Sequence, residues 1–255
     1  PNMILMVPLM IETFAKKLED VKDLPEKVVK EAVFGSQFHT ICSGGAYLNP
    51  EYIELFERFG IQILQGYGMT ECSPVISTNV AWNVKKNSVG QLLPNCEAKT
   101  VDGELWVRGS SVMQGYYKMP EETKTALKDG WLCTGDLGYV DEERFIYLTG
   151  RKKNLIITKN GENVSPEELE NKLSSSRLVQ EVLVREAKGV IEAEIYPDEE
   201  YAKKQGLERK EEVRLELQKL IDEYNQGAPA YKKIYSLIIR DKEFEKTASR
   251  KIKRY

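Results

Sequence analysis

At 255 residues the chain has room for one sizeable domain, or for a medium domain and a small one. Hydrophobic residues make up 41% and charged residues 30%, which excludes a disordered chain. A net charge of −3 argues against bulk nucleic-acid or anionic-membrane binding, and no apolar run approaches the ~20 residues of a membrane helix.

The most apolar stretch, Met3 to Ile11, is short and lacks signal-peptide features. Residues 10–34 carry apolar side chains at three- and four-residue spacing, which predicts an amphipathic helical hairpin. FHTIC then reads as a strand running into the turn SGGAYL. PEYIELFERFG reads as a helix between Pro50 and Gly60, and IQILQGYG as the next strand. This strand–turn–helix–strand order predicts a βαβ unit with parallel strands. From Ser88 to Leu148 short alternating strands (GELWVRG, WLCTGDLGYV, RFIYLTG) predict an antiparallel, barrel-like subdomain.

A boundary is expected near Gly150, dividing the chain into 1–150 and 151–255. Beyond it a compact α+β unit can be read: strand NLIIT, turn KNG, and a helix with Ser165 as N-cap, Pro166 at its first position and Glu168 completing a capping box. Strands QEVLVRE and VIEAEIYP, a charged helix around 209–224, strand YSLIIR and the basic tail KTASRKIKRY follow. The four cysteines form no C-x-x-C pair and, with the single His39, make a poor zinc set. They read as thiols of a reducing cytoplasm.

Four segments can carry chemistry. In QGYGMTECSP a strand ends at Tyr67 and Gly68, then presents Thr70 and Glu71 at its C-terminal edge, where α/β sheets gather ligands. Tyr67 offers a flat face for a purine, Thr70 a hydroxyl, and Glu71 a hard oxygen for Mg²⁺. In SGGAYL, Gly44 and Gly45 permit close backbone approach to a ligand. In GWLCTGDLGYVDEERFIYLTGRKKN, Asp136 could accept from a ribose diol and Arg151 could reach phosphate or ribose oxygens. The tail crowds Lys246, Arg250, Lys251, Lys253 and Arg254 together. It reads as a solvated end, a nucleic-acid or membrane contact, or a lysine brought to an anionic site. Taken singly, each of the others is as readily an ordinary turn.

In this order, GYGMTE, GELWVRGSSVMQGYY, TGDLGYVD, LTGRKKNLIITKNGENVSPEELE and T-x-x-x-K-I-K-R resemble the adenylate-forming superfamily. The R-K-K-N form and the ending look most like its long-chain fatty acyl branch, although Arg250 stands where many members have glycine. The resemblance implies an α/β chain comprising the C-terminal part of the large AMP-binding domain, followed by a small mobile C-terminal α+β domain. It implies that a carboxylate attacks the α-phosphate of Mg·ATP, after which the thiol of coenzyme A attacks the acyl-adenylate. By position, Gly44, Gly45 and Ala46 would line the adenine and acyl pocket. Tyr67 and Gly68 would lie at the adenine, Thr70 at phosphate, Glu71 at Mg²⁺, and Asp136 and Arg151 at the ribose. Lys251 would contact the carboxylate and α-phosphate, Lys153 would be the hinge, and Gly161 would lead the loop that replaces Lys251 for the thioester step.

ATP, Mg²⁺, coenzyme A and a fatty or other carboxylic acid are the implied ligands, with no nucleic acid. A cytoplasmic location and a peripheral membrane contact accompany that reading. The family's Ser/Thr/Gly-rich phosphate loop is absent from these residues and the chain opens on Pro1. A missing N-terminal segment of the same protein is therefore expected. Alternative readings are an enzyme that loads an acyl or amino acid onto a carrier protein, and an inactive nucleotide-binding homologue.

Overall fold

The computed structural model describes residues 1–21, 23–247 and 252–254, with the backbone alone for Glu19. The chain divides into two compact units, Pro1–Leu148 and Thr149–Tyr255.

The first unit begins with strand β1 (Met3–Met6), helices α1 (Pro8–Glu19) and α2 (Glu26–Val33), and strand β2 (Thr40–Gly44). Helix α3 (Pro50–Arg58) and strands β3 (Gln62–Gly68), β4 (Val75–Thr78) and β5 (Gln91–Leu92) follow. The helical pair and the βαβ unit match the sequence pattern. Strand β1 does not appear in that pattern, because a short apolar run does not by itself distinguish strand from helix. The sheet runs β1-β2-β3-β4-β5, with β1, β2 and β3 parallel and the last two pairings antiparallel.

Helix α1 turns Ile11, Ala15 and Leu18 inward at helical spacing, against Ile41, Phe56 and Ile63 in one core. Each such fully buried Ile, Leu or Phe contributes about 1.5–3 kcal/mol. Asn49 caps α3 by accepting from the Glu51 N–H at 3.0 Å.

A second sheet is built from β6 (Cys96–Val101), β7 (Glu104–Gly109), β8 (Leu127–Lys128), β9 (Trp131–Val140) and β10 (Ile146–Arg151). Its order is β10-β9-β7-β6, with β8 beside β9 and α4 (Pro120–Ala126) before β8. Backbone bonds stitch it to the first sheet: Val89 N–H to Ile146 O at 2.9 Å, Ile146 N–H to Gly90 O at 3.0 Å and Leu92 N–H to Arg144 O at 2.8 Å. Those bonds fix where β9 stands relative to the end of β3.

The second unit holds the short strands β11 (Ile156–Ile157) and β12 (Asn163–Val164), helix α5 (Pro166–Leu173), and the hairpin β13 (Val179–Ala187) and β14 (Val190–Pro197). Helices α6 (Glu199–Lys204) and α7 (Lys210–Gly227) and strand β15 (Ile234–Ile239) complete it. β14 pairs antiparallel with β13 and parallel with β15, and α5 and α7 cover the core of Leu169, Leu173, Ala193, Ile195, Leu217 and Ile221. The strand expected over NLIIT shrinks to two residues, because Lys152–Asn154 form a 3-10 turn just before it.

The expected capping box at α5 does not form. Pro166 does occupy the first turn, but the Ser165 hydroxyl donates to Glu167 Oε2 at 2.9 Å and makes no cap. Glu168 instead accepts twice from Lys232 Nζ, at 2.7 and 2.9 Å. A long-range ammonium outcompetes the local backbone donor, since charge-assisted bonds are the stronger kind.

No helix among the described residues is long and apolar enough to cross a membrane. Trypsin is expected to cut first at the exposed Lys152 and Lys153 and to release the 13-14-15 sheet with its helices intact. First cleavage within 179–197 would show that the second unit does not fold by itself.

Candidate active site

The C-terminal end of β3 carries the densest set of chemistry-bearing residues. Strands β2 and β3 end side by side, with Gly44 paired to Gly66. A Cβ at Gly44 would stand 2.8 Å from the Gly66 carbonyl oxygen, so the close approach that admits only glycine here is to the neighbouring strand. Gly45 and Ala46 follow at the exposed turn. Gly68 is equally constrained from within: a Cβ there would lie 1.9 Å from the Pro74 carbonyl oxygen, and Met69 N–H donates to that oxygen at 2.7 Å. The returning chain therefore presses Thr70 and Glu71 into a 3-10 turn at the sheet edge, with Thr70 exposed and Glu71 half-buried.

Tyr67 is the last inward side chain of β3, only 8% exposed. Its hydroxyl donates to Asp136 Oδ2 at 2.6 Å. Asp136 lies on the inward face of β9, in the alternation that also buries Leu132 and Thr134, and is 5% exposed. A carboxylate on that face requires partners. Besides Tyr67 there is the local frame: Thr134 Oγ1 donates to Leu105 O at 2.7 Å and accepts from the Asp136 N–H at 3.1 Å. Next to it, the Gly135 N–H donates to the buried Glu104 at 2.9 Å. The two acids read from the sequence thus sit on different supports, Asp136 in a buried frame and Glu71 at the rim.

Glu71 has a partner that the sequence reading did not assign. The Tyr116 hydroxyl donates to its Oε1 at 2.8 Å, and the Met113 N–H donates to its main-chain oxygen at 2.8 Å. That bond, followed by burial, raises the Tyr116 phenol above its ordinary pKa. The stretch QGYY belonged to a recognisable motif, yet nothing local marks Tyr116 as facing a residue 45 positions earlier. The adjacent Cys72 is no candidate nucleophile. Burial, with Cys96 and Glu71 nearby, pushes its thiol up to about 12.

Among the described residues no group of three or more His, Cys, Asp or Glu is arranged to hold a metal ion. A single half-buried carboxylate is nonetheless a suitable donor for Mg²⁺, which takes one or two protein carboxylates and completes its shell with water and substrate phosphates. In the second unit, Arg151 and Lys153 are exposed around the 3-10 turn, and Gly161 is exposed in the turn between β11 and β12. Lys251 lies outside the described residues.

Residues 1–117 match the family described as AMP-binding enzyme, and residues 153–255 match the AMP-binding enzyme C-terminal domain. The chain belongs to the AMP-binding enzyme family. Over 163 residues it is 39% identical to a long-chain-fatty-acid–CoA ligase of Bacillus subtilis, a match that covers 58% of this chain and 29% of that protein. Over 165 residues it is 43% identical to 4-coumarate–CoA ligase-like 4 of Oryza sativa, covering 58% of this chain and 30% of that protein. These matches therefore span less than a third of either relative's length. Its fold is that of the adenylate-forming enzymes. The o-succinylbenzoate CoA synthetase of Bacillus subtilis, solved with its acyl-adenylate intermediate, superposes with a TM-score of 0.76 at 29% identity. That match covers 98% of this chain and 49% of the synthetase, which has also been solved with ATP and magnesium ion.

Proposed function

We propose that this chain is the catalytic C-terminal part of a cytoplasmic, AMP-forming acid–thiol ligase that joins a long-chain fatty acid to coenzyme A. The observation that carries the reading is the pair of acids at the end of β3, Asp136 held by Tyr67 and Glu71 held by Tyr116. They supply a ribose acceptor and a cation ligand within one unit. In the first half-reaction a carboxylate oxygen attacks the α-phosphorus of ATP, and the bond to the departing pyrophosphate breaks. In the second, the coenzyme A sulfur attacks the acyl carbonyl, the thiol proton is released and AMP leaves.

The nucleophile of the first step is already an anion, so the chain's task is orientation and charge compensation rather than proton removal. Asp136 would orient the ribose, and Thr70 would donate to phosphate. Glu71 would hold the Mg²⁺ that accompanies ATP, whose charge offsets that of the triphosphate. Lys251 would add a cation at the reacting carboxylate, Lys153 would serve as hinge, and Arg151 and Gly161 would act from the second unit. The four free cysteines suit the proposed cytoplasmic location. The basic tail is the proposed place of peripheral membrane contact.

The higher identity to the 4-coumarate–CoA ligase-like protein favours an aromatic acid as the second reading. ATP–pyrophosphate exchange by the full-length protein decides between them. Exchange driven by long straight-chain acids supports the first reading, and exchange driven only by aromatic acids replaces it. The 255-residue chain by itself is expected to give no acyl-CoA, because it lacks the phosphate loop that would supply backbone donors and a cation to the triphosphate. Turnover by the isolated chain would overturn that expectation.

A further inference from the structure

We propose that Tyr116 is a positioning residue for the Glu71 carboxylate, fixing one of its oxygens so that the other is presented to the divalent cation of a metal–nucleotide complex. The proposal rests on the reading of Glu71 given above. Residues 113–116 grip Glu71 twice, by the Met113 N–H on its main-chain oxygen and by the Tyr116 hydroxyl on Oε1, each at 2.8 Å. Tyr116 is itself anchored, since its N–H donates to Thr123 Oγ1 at 2.9 Å. Thr123 in turn donates to Met119 O at 2.7 Å, at the start of α4.

The ring is no core member: Tyr116 is 36% exposed, and the core beneath is built from Tyr67, Ile76, Leu105 and Leu132. Its placed hydroxyl is therefore not explained by burial. The terminal torsion of a glutamate is broad, so an unheld carboxylate samples many orientations of its two oxygens. A phenol donates a hydrogen bond without neutralising the carboxylate, which keeps its charge for the ion. Ligating carboxylates are commonly held in this way by a neighbouring donor. The Tyr67–Asp136 bond in the same unit uses the same chemistry on the other acid.

The test uses the full-length protein and compares its affinity for Mn²⁺·ATP with that for metal-free ATP by calorimetry, with Mg²⁺-dependent pyrophosphate exchange in parallel. Tyr116→Phe is expected to weaken Mn²⁺·ATP binding roughly 10–100-fold. Metal-free ATP binding and the tryptophan-fluorescence melting midpoint should stay unchanged. Tyr117→Phe, at the neighbouring tyrosine that is 85% exposed, should change none of these. In a Glu71→Gln background Tyr116→Phe should add nothing, whatever its effect on stability. Unchanged Mn²⁺·ATP affinity, equal weakening with and without metal, or a full effect persisting in Glu71→Gln would each overturn the proposal. If Glu71→Gln itself leaves Mn²⁺·ATP affinity unchanged, the assignment of Glu71 fails instead.

Discussion

Replacing Lys251 with alanine in the full-length protein is expected to slow acyl-adenylate formation by roughly 10²–10³-fold, the scale for losing one preorganised charge donor. Thioester formation from preformed acyl-adenylate should be nearly unchanged. Lys251 lies outside the described residues, so the expectation comes from its place in TASRKIKR, four residues after Thr247. The chain around it is held at both sides. Lys246 bridges to Ile252, and the Lys253 N–H donates to Glu245 O at 2.8 Å. Lys253→Ala is the matched control. Its side chain is half exposed and, among the described residues, pairs with Glu245 at 3.6 Å, and the backbone bond survives the substitution. Exposed pairs of this kind contribute about 0–1 kcal/mol. The decisive comparison is between half-reactions. Equal losses in both, or equal effects of the two substitutions, would reduce the tail to general charge.

Arg254→Ala is expected to destabilise the second unit by about 2–3 kcal/mol, somewhat below the ~3–5 of a fully buried pair. The Arg254 guanidinium forms a bidentate pair with Glu170, with Nη1 at 2.9 Å from Oε1 and Nη2 on Oε2, and stands 3.5 Å from Glu167. Glu170 is 9% exposed and also accepts from the Val184 N–H at 2.7 Å. Without Arg254 it would be a buried charge with one backbone donor.

The pH dependence has a definite sign. Burial raises the Glu170 carboxyl above its ordinary value of 4.5, against the opposing pull of Arg254 and the Val184 N–H. A group raised in the folded state supports folding below the ordinary value and loses that contribution as pH rises through the folded one. Removing Arg254 raises it further. The deficit of Arg254→Ala should therefore be largest at neutral pH and fade as pH falls to 4.5 and below. Adding Glu170→Gln, which keeps an acceptor for Val184, should restore much of the loss.

An internal control is available, because Trp82, Trp106 and Trp131 all lie in the first unit. Tryptophan fluorescence should report an unshifted transition, while circular dichroism shows the second unit melting on the order of 10 °C earlier. A fluorescence transition that shifts equally, or a deficit independent of pH, would refute the account.

Much of the fold was legible because its signals are local. Pro50 and Gly60 bracket α3, and the spacing of Ile11, Ala15 and Leu18 sets the buried face of α1. Alternation along WLCTGDLGYV marks β9, on whose buried face the structure then places Asp136. Gly44, Gly68, Thr70, Glu71 and Asp136 could be singled out because their motifs have a fixed spacing. Gly44 and Gly68 each also make room for neighbouring backbone, a constraint that their motifs do not display.

Partner choice was not legible. Ser165 and Glu168 have the right spacing for a capping box, but Lys232, 64 residues downstream of Glu168, takes the carboxylate. The short apolar run at Met3–Met6 becomes a strand because Thr40–Gly44 offers a parallel edge to it. By itself the sequence determined the α/β plan, the period of the longer strands and helices, and which acids belong to recognisable motifs, because these follow from local pattern over a few residues. Only the tertiary structure decided that Tyr67 meets Asp136, 69 residues away, that Tyr116 meets Glu71, and that Arg254 meets Glu170. Hydrogen bonds and ion pairs act over about 3 Å, and the order in which strands join a sheet, not their separation along the chain, brings such groups within that reach.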